Sequence, residues 1–236
     1  MDVTFWGVIL IVIMALIKKG KGRKDGGYSR LFGNIELGHL ISRVQSAVIS
    51  AGTELEQIIK KEVTLIDNLD TFLKKDIMPD GIFVADKRKM KNCKALDFSG
   101  SEPDFIIFKR RNKQQKCHLI ELKDGDSFDT KKSAAEHQAM HLFISKNAQH
   151  LPFIVKSHFC CFNQNDKTEI LKGFKNKISK EEAMTGKEFC ELLEIDYNAI
   201  VKKRNKDASK NLEYFLSEIT KIEVVKNWLK KFFSQY

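Results

Sequence analysis

PDFIIFKRRNKQQKCHLIELK, residues 103–123, is the stretch on which the fold turns. An apolar run, Phe105 to Phe108, follows Pro103-Asp104 directly. A basic, polar turn spans Lys109 to Lys116, and a second apolar run, His118-Leu119-Ile120, leads into Glu121-Leu122-Lys123. The pattern predicts two short strands joined by a charged hairpin. Side chains alternate along a strand, so Glu121 and Lys123 share one face and Leu122 packs on the other. Asp104 then sits at the mouth of the neighbouring strand. Two carboxylates and one ammonium are expected on one edge of a sheet.

Two carboxylates at close range raise each other's pKa unless a cation lies between them. Mg²⁺ is the natural cation, because it accepts one or two carboxylates together with water and phosphate oxygens. A bound metal lowers the pKa of water and neutralises charge growing on a phosphodiester. A lysine two residues from a ligand can orient that water or stabilise the phosphate. Metal-dependent phosphodiester hydrolysis is therefore the local expectation. The bland alternative is a surface hairpin with solvated charges.

Working outward, the chain of 236 residues suits one domain with a small appendage, and 42% hydrophobic residues suffice for a core. Lys+Arg 41 against Asp+Glu 31 leaves +10, which points to an anionic partner, nucleic acid first. Five cysteines, two of them adjacent and none in a C-x-x-C pair, argue against a disulfide framework and for a reducing cytoplasm.

Upstream, residues 3–17 (VTFWGVILIVIMALI) are apolar and are followed by KKGKGRK. Fifteen helical residues span about 22 Å, short of the roughly 30 Å hydrocarbon core. A thin anchor at the inner face of the membrane is one reading; a start codon placed too early or a packed appendage is the other. With the glycine-rich linker after it, this segment makes up residues 1–33. Residues 35–62 repeat apolar positions at helical spacing, and Gly52-Thr53 is expected to split them into two helices, with Thr53 as a cap. Glu54 opens the second as a candidate extra metal ligand, although first-turn glutamates usually just complement the helix dipole. A short helical stretch at 63–80 ends at Pro79-Asp80, a second Pro-Asp before a strand. Asp80 lies much further from Glu121 than Asp104 does, so Asp80-Gly81 is read as a turn. One or two strands are expected over 82–98, with a basic centre from Lys87 to Lys94 as a phosphate-contact surface. Ser99-Gly100-Ser101 is read as the turn into the motif.

Downstream, the acids after Lys123 lack the calcium-loop pattern. Asp129 or Thr130 is expected to cap a helix that carries Glu136 and Gln138 within reach of the site. His137 and His141 lie one turn apart on it, but no third ligand is evident in the sequence, so no zinc site is expected. That helix has the length of a parallel crossover, and residues 152–162 form the next strand. The remainder, 166–236, is expected to be helical, with a capping box at Thr185–Glu188, a final helix whose apolar side is core or a dimer face, and basic clusters as candidate DNA contacts.

Helix, strands, Pro103-Asp104, Glu121-Leu122-Lys123, crossover helix and further strand together resemble the PD-(D/E)xK nuclease superfamily. Within it the chain is most similar to a type II restriction endonuclease, with the match over about 34–162. The resemblance implies an α/β fold with a mixed central sheet flanked by helices, a nuclease core at 34–165 and a helical C-terminal region at 166–236. It implies that Asp104 and Glu121 coordinate Mg²⁺ and that Lys123 acts on the attacking water. It matches Glu54 to a helix carboxylate used as a metal ligand by some members, and Gln138 to a glutamine found after the motif in others. It implies sequence-specific cleavage of double-stranded DNA by a homodimer. The apolar stretch at 3–17 departs from the usual pattern. Two competing functions are a structure-specific or repair and defence nuclease of the same fold, and a non-enzymatic membrane-tethered DNA-binding protein. Discrete digestion products favour the restriction enzyme over both.

Overall fold

The computed structural model describes residues 15–22, 26–75, 78–98, 102–128, 130–151 and 153–235. Residues 3–14 of the apolar run, the Ser99–Ser101 turn and the Asp129 cap lie outside them. The chain divides into two compact units. One is Ile59–Tyr197, built on a sheet; the other combines Met1–Ile58 with Asn198–Tyr236 and is helical. The 166–236 region is thus shared between them.

The sheet unit is a mixed α/β structure; α1 (Gly27–Phe32) precedes it in the chain, and the short helices α3 (Leu69–Leu73) and α6 (Lys167–Gly173) belong to it. Five strands, β1 (Gly81–Asp86), β2 (Phe105–Arg111), β3 (Gln114–Lys123), β4 (Ile154–Cys161) and β5 (Ala183–Thr185), lie in the order β1-β2-β3-β4-β5. The first three are antiparallel; β3, β4 and β5 are parallel. The expected hairpin is present, but its turn is tighter than the charge pattern suggests. Arg111 pairs with Gln114, which leaves only Asn112 and Lys113 in the loop. Both have positive φ (50° and 65°), the two-residue geometry whose twist matches that of the strands. The crossover from β3 to β4 is helix α5 (Thr130–Asn147), as its length predicts.

Alternation sorts the sheet's two faces. Ile106, Phe108, Cys117, Leu119, Phe159 and Cys161 share one core with Met140 and Phe143 of α5. On the other face Phe105 meets Phe189 of helix α7 (Gly186–Leu193), with ring centroids 6.3 Å apart. Thr185 and Glu188 form the expected capping box of α7.

Three local expectations are corrected. Residues 35–62 form a single helix, α2 (Ile35–Glu62), that runs through Gly52. A glycine inside a helix costs about 1 kcal/mol relative to alanine, which burial of Leu55, Ile58 and Ile59 readily outweighs. The basic stretch after β1 is helix α4 (Lys87–Lys91), because the Asp86 side chain accepts the Lys89 N–H at 3.0 Å as an N-cap. Residues 183–185, read as helical, are β5, since Phe159 to Cys161 pair with them.

The helical unit contains the first 24 residues of α2 and most of helix α8 (Tyr197–Ile219), with α9 (Glu223–Phe233) after it. Ile17, Leu40, Ala47 and Ile222 are its buried centre. The Asn211 amide bridges the Ile17 N–H and the Ala15 carbonyl, both at 2.8 Å. The described end of the apolar stretch is therefore packed inside this unit. Among the described residues, no helix is long and apolar enough to cross a membrane.

Candidate active site

Register places the site. Phe105 pairs with Ile120, and the Asp104 N–H extends the ladder to the Ile120 carbonyl at 2.8 Å. Asp104 therefore comes opposite Glu121 at the strand ends. The Leu122 N–H donates to Asp104 Oδ2 at 2.6 Å, and Lys87 of α4 is ion-paired with Asp104 Oδ1. The Asp104 side chain is only 6% exposed.

Lys123 Nζ lies 2.8 Å from Glu121 Oε1 and 2.9 Å from Glu136 Oε1 of α5. One ammonium thus bridges two carboxylates, one from the strand and one from the crossover helix. Burial pushes the Glu121 pKa up, and the Asp104 charge pushes it further; Lys123 only partly offsets both. Burial alone would lower the Lys123 pKa, but its bonds and charge pairing with Glu121, then Glu136, raise it instead. A cavity of about 200 Å³ opens between them, lined by Lys87, Glu102, Pro103, Glu121, Glu136, Ala139 and Met140.

The sequence pattern thus brings Asp104, Glu121 and Lys123 together, and Glu136 joins them. Gln138 is exposed and absent from the cavity lining. Two residues on a helix differ by about 200° in direction, so Gln138 turns away from the face that Glu136 presents. Glu54 belongs to the helical unit, 3% exposed. Burial raises its pKa, opposed by the Ala15 backbone N–H, and its charged neighbours are Asp207, Arg204 and Lys203 of the same unit. Lys87 was legible only as part of a basic cluster. Its place on Asp104 follows from Asp86 pairing with Phe105, a long-range register that the sequence does not state.

Asp80, the competing Pro-Asp carboxylate, is 68% exposed and lies 3.4 Å from Arg110 Nε. It belongs to the other end of the β1–β2 pair, since Gly81 pairs with Arg110.

The donor set suits a hard divalent cation. Asp104, Glu121 and Glu136 bring three carboxylates against two ammonium groups, and burial first, then the Asp104 charge, pushes the Glu121 pKa up.

The chain is 42% identical over 228 residues to the type II restriction enzyme HhaII of Haemophilus parahaemolyticus, an alignment covering 93% of this chain and 100% of that protein. No family model and no solved structure matches it.

Proposed function

The chain belongs to the type II restriction enzymes, and from that membership we propose that it is a Mg²⁺-dependent, sequence-specific endonuclease of the PD-(D/E)xK type acting on double-stranded DNA. The observation that carries the active-site assignment is a buried Asp104 set by register opposite a partly buried Glu121, beside a Lys123 held by two carboxylates.

Asp104 and Glu121 would hold Mg²⁺, and Glu136 adds a third carboxylate within the same charge cluster. When bound, the ion supplies charge neutralisation at the phosphate and an acidified water. Lys123 has a raised pKa and so stays an ammonium at neutral pH. It is a hydrogen-bond donor and a positive charge in the site. It orients the attacking water and stabilises the growing negative charge on the phosphate. Its two carboxylate partners fix the ammonium in place, so little reorganisation is needed as the charge develops. Glu54, matched by resemblance to a helix carboxylate, is the least supported ligand, because its described partners all lie in the helical unit.

The net charge of +10 serves attraction to the DNA backbone, and exposed Arg88 and Lys91 of α4 extend that surface from Lys87. The enzyme acts as a homodimer in the cytoplasm, one site on each DNA strand; sedimentation equilibrium yielding a monomer mass with and without cognate DNA overturns the dimer.

Incubation of the purified chain with plasmid DNA and Mg²⁺ should give discrete bands, and none with excess chelator. Asp104→Ala and Lys123→Ala should each abolish them. Unchanged cutting by both variants removes the site assignment, and degradation to small products removes the sequence specificity.

A further inference from the structure

His137 and His141, one helical turn apart on α5, have a third partner that the sequence hides. Glu182 arrives from the turn just before β5, 41 residues after His141. His137 Nε2 and His141 Nε2 are 2.9 Å apart. The same carboxylate atom, Glu182 Oε1, lies 3.2 Å from His141 Nε2 and 3.5 Å from His137 Nε2. The three donor atoms converge within 4.8 Å of one another. All belong to the sheet unit.

The triangle has the dimensions of a metal's coordination face. With metal–ligand bonds of about 2.0–2.1 Å at tetrahedral angles, neighbouring donors stand about 3.3 Å apart. The three observed edges bracket that length. A hydrogen bond between two imidazoles explains one edge at most, and it leaves the carboxylate to share the same nitrogens. Neighbouring groups also hold the carboxylate in place. Ser157 Oγ donates to Glu182 Oε1 at 3.0 Å, and the Ser179 N–H donates to Oε2 at 2.8 Å. Such outer hydrogen bonds are what aim a ligating carboxylate. Phe159 packs against the His137 ring, with centroids 5.7 Å apart, on the side away from solvent.

We propose that His137, His141 and Glu182 form a Zn²⁺ site separate from the Asp104–Glu121 carboxylates, clipping α5 to the segment that enters β5. Two imidazoles and one carboxylate suit zinc and leave its fourth position for water, on the side where His141 is 53% exposed. The carboxylate cluster at Asp104 offers only hard oxygen donors and prefers Mg²⁺. Glu136 directly precedes His137, so the clip would steady the helix that holds Lys123 from one side.

The test uses the full-length protein, freed of metal by a chelator and then kept in excess Mg²⁺ to fill oxygen sites. Zn²⁺ titration followed by calorimetry should give one ion per chain, and Zn²⁺ should raise the Tm. His141→Ala should weaken binding at least tenfold and cancel the Tm rise; because the ring is exposed, circular dichroism should show an unchanged fold. Co²⁺ in place of Zn²⁺ should give visible bands of a four-coordinate site without a thiolate charge-transfer band. Binding unaffected by His141→Ala, binding lost instead in Cys93→Ser, at the one cysteine that is not fully buried, or no stoichiometric Zn²⁺ uptake each overturns the proposal.

Discussion

Pro-Asp occurs twice before a strand, at 79–80 and at 103–104, and the two copies have opposite fates. Asp80 precedes β1, is 68% exposed and is answered by Arg110. Asp104 precedes β2, is 6% exposed and faces another carboxylate. The cause is direction. Strands β1 and β2 are antiparallel, so their entrances lie at opposite ends of the pair, about 17 Å apart over five residues at the usual strand rise. Strand β3 runs against β2, so its exit, with Glu121, meets only the Asp104 end. At the other end β2 presents Arg110, and Arg111 pairs with Glu194. There each charge is balanced by an opposite one, and an exposed pair such as Arg111–Glu194 contributes little. A buried surplus of carboxylate costs stability and makes a place for a cation.

Substitutions can break this contrast, and the largest effect belongs to Asp104. Asp104→Ala should lower the cutting rate by at least about 10³-fold, equivalent to about 4 kcal/mol of transition-state stabilisation. Gel-based single-turnover assays read it directly, and residual cutting near the wild-type rate would deny Asp104 its role.

Glu121→Gln should also stop cutting, yet stabilise the metal-free protein. The sign follows from the raised pKa. Between the ordinary carboxylate value and the folded value, Glu121 is protonated when folded and ionised when unfolded. The folded state then holds more protons, so stability falls as pH rises through that window and stays lower at neutral pH. The amide removes that loss. In chelator, the variant's Tm should exceed the wild type's by about 2–4 °C per kcal/mol relieved in a chain of this size. Mg²⁺ should raise the Tm of the wild type and not of the variant. A lower Tm for Glu121→Gln would mean that the Lys123 pairing outweighs the repulsion.

Glu136→Gln leaves Lys123 held by Glu121 alone. Cutting should fall about tenfold, the scale of one charge-assisted hydrogen bond at about 1.4 kcal/mol. Lys87 competes with a cation for Asp104, so Lys87→Ala should lower the Mg²⁺ concentration for half-maximal Tm shift severalfold. A raised requirement would instead make Lys87 a support of the ion site. Asp80→Ala closes the series: cutting should stay within about twofold, whatever stability is lost by leaving the mostly buried Arg110 without its exposed partner. A loss comparable to that of Asp104→Ala would erase the distinction between the two copies.

Much of the sheet was legible because its signals are local. The strands, the hairpin and the crossover helix follow from apolar runs and turn residues. The face shared by Glu121 and Lys123 follows from alternation with a period of two. The misread segments are those where a longer-range term won. Burial of one face carries α2 through Gly52, and pairing with β4 pulls residues 183–185 into a strand. The lysine-rich stretch after β1 has polar composition, yet one cap at Asp86 turns it into α4.

By itself, then, the sequence determined the hairpin, its charged edge and the placing of Asp104, rather than Asp80, at the strand end that carries Glu121 and Lys123. These depend on spacing within a few tens of residues, where backbone geometry leaves few choices. Only the tertiary structure decided that Lys87 sits on Asp104, that Glu136 shares Lys123, that Glu54 has its partners in the helical unit, and that Glu182 closes on His137 and His141. Each of these depends on the register between strands or on helices packed across them. Such contacts are fixed by how the whole chain buries its apolar faces, and no short window of sequence contains that information.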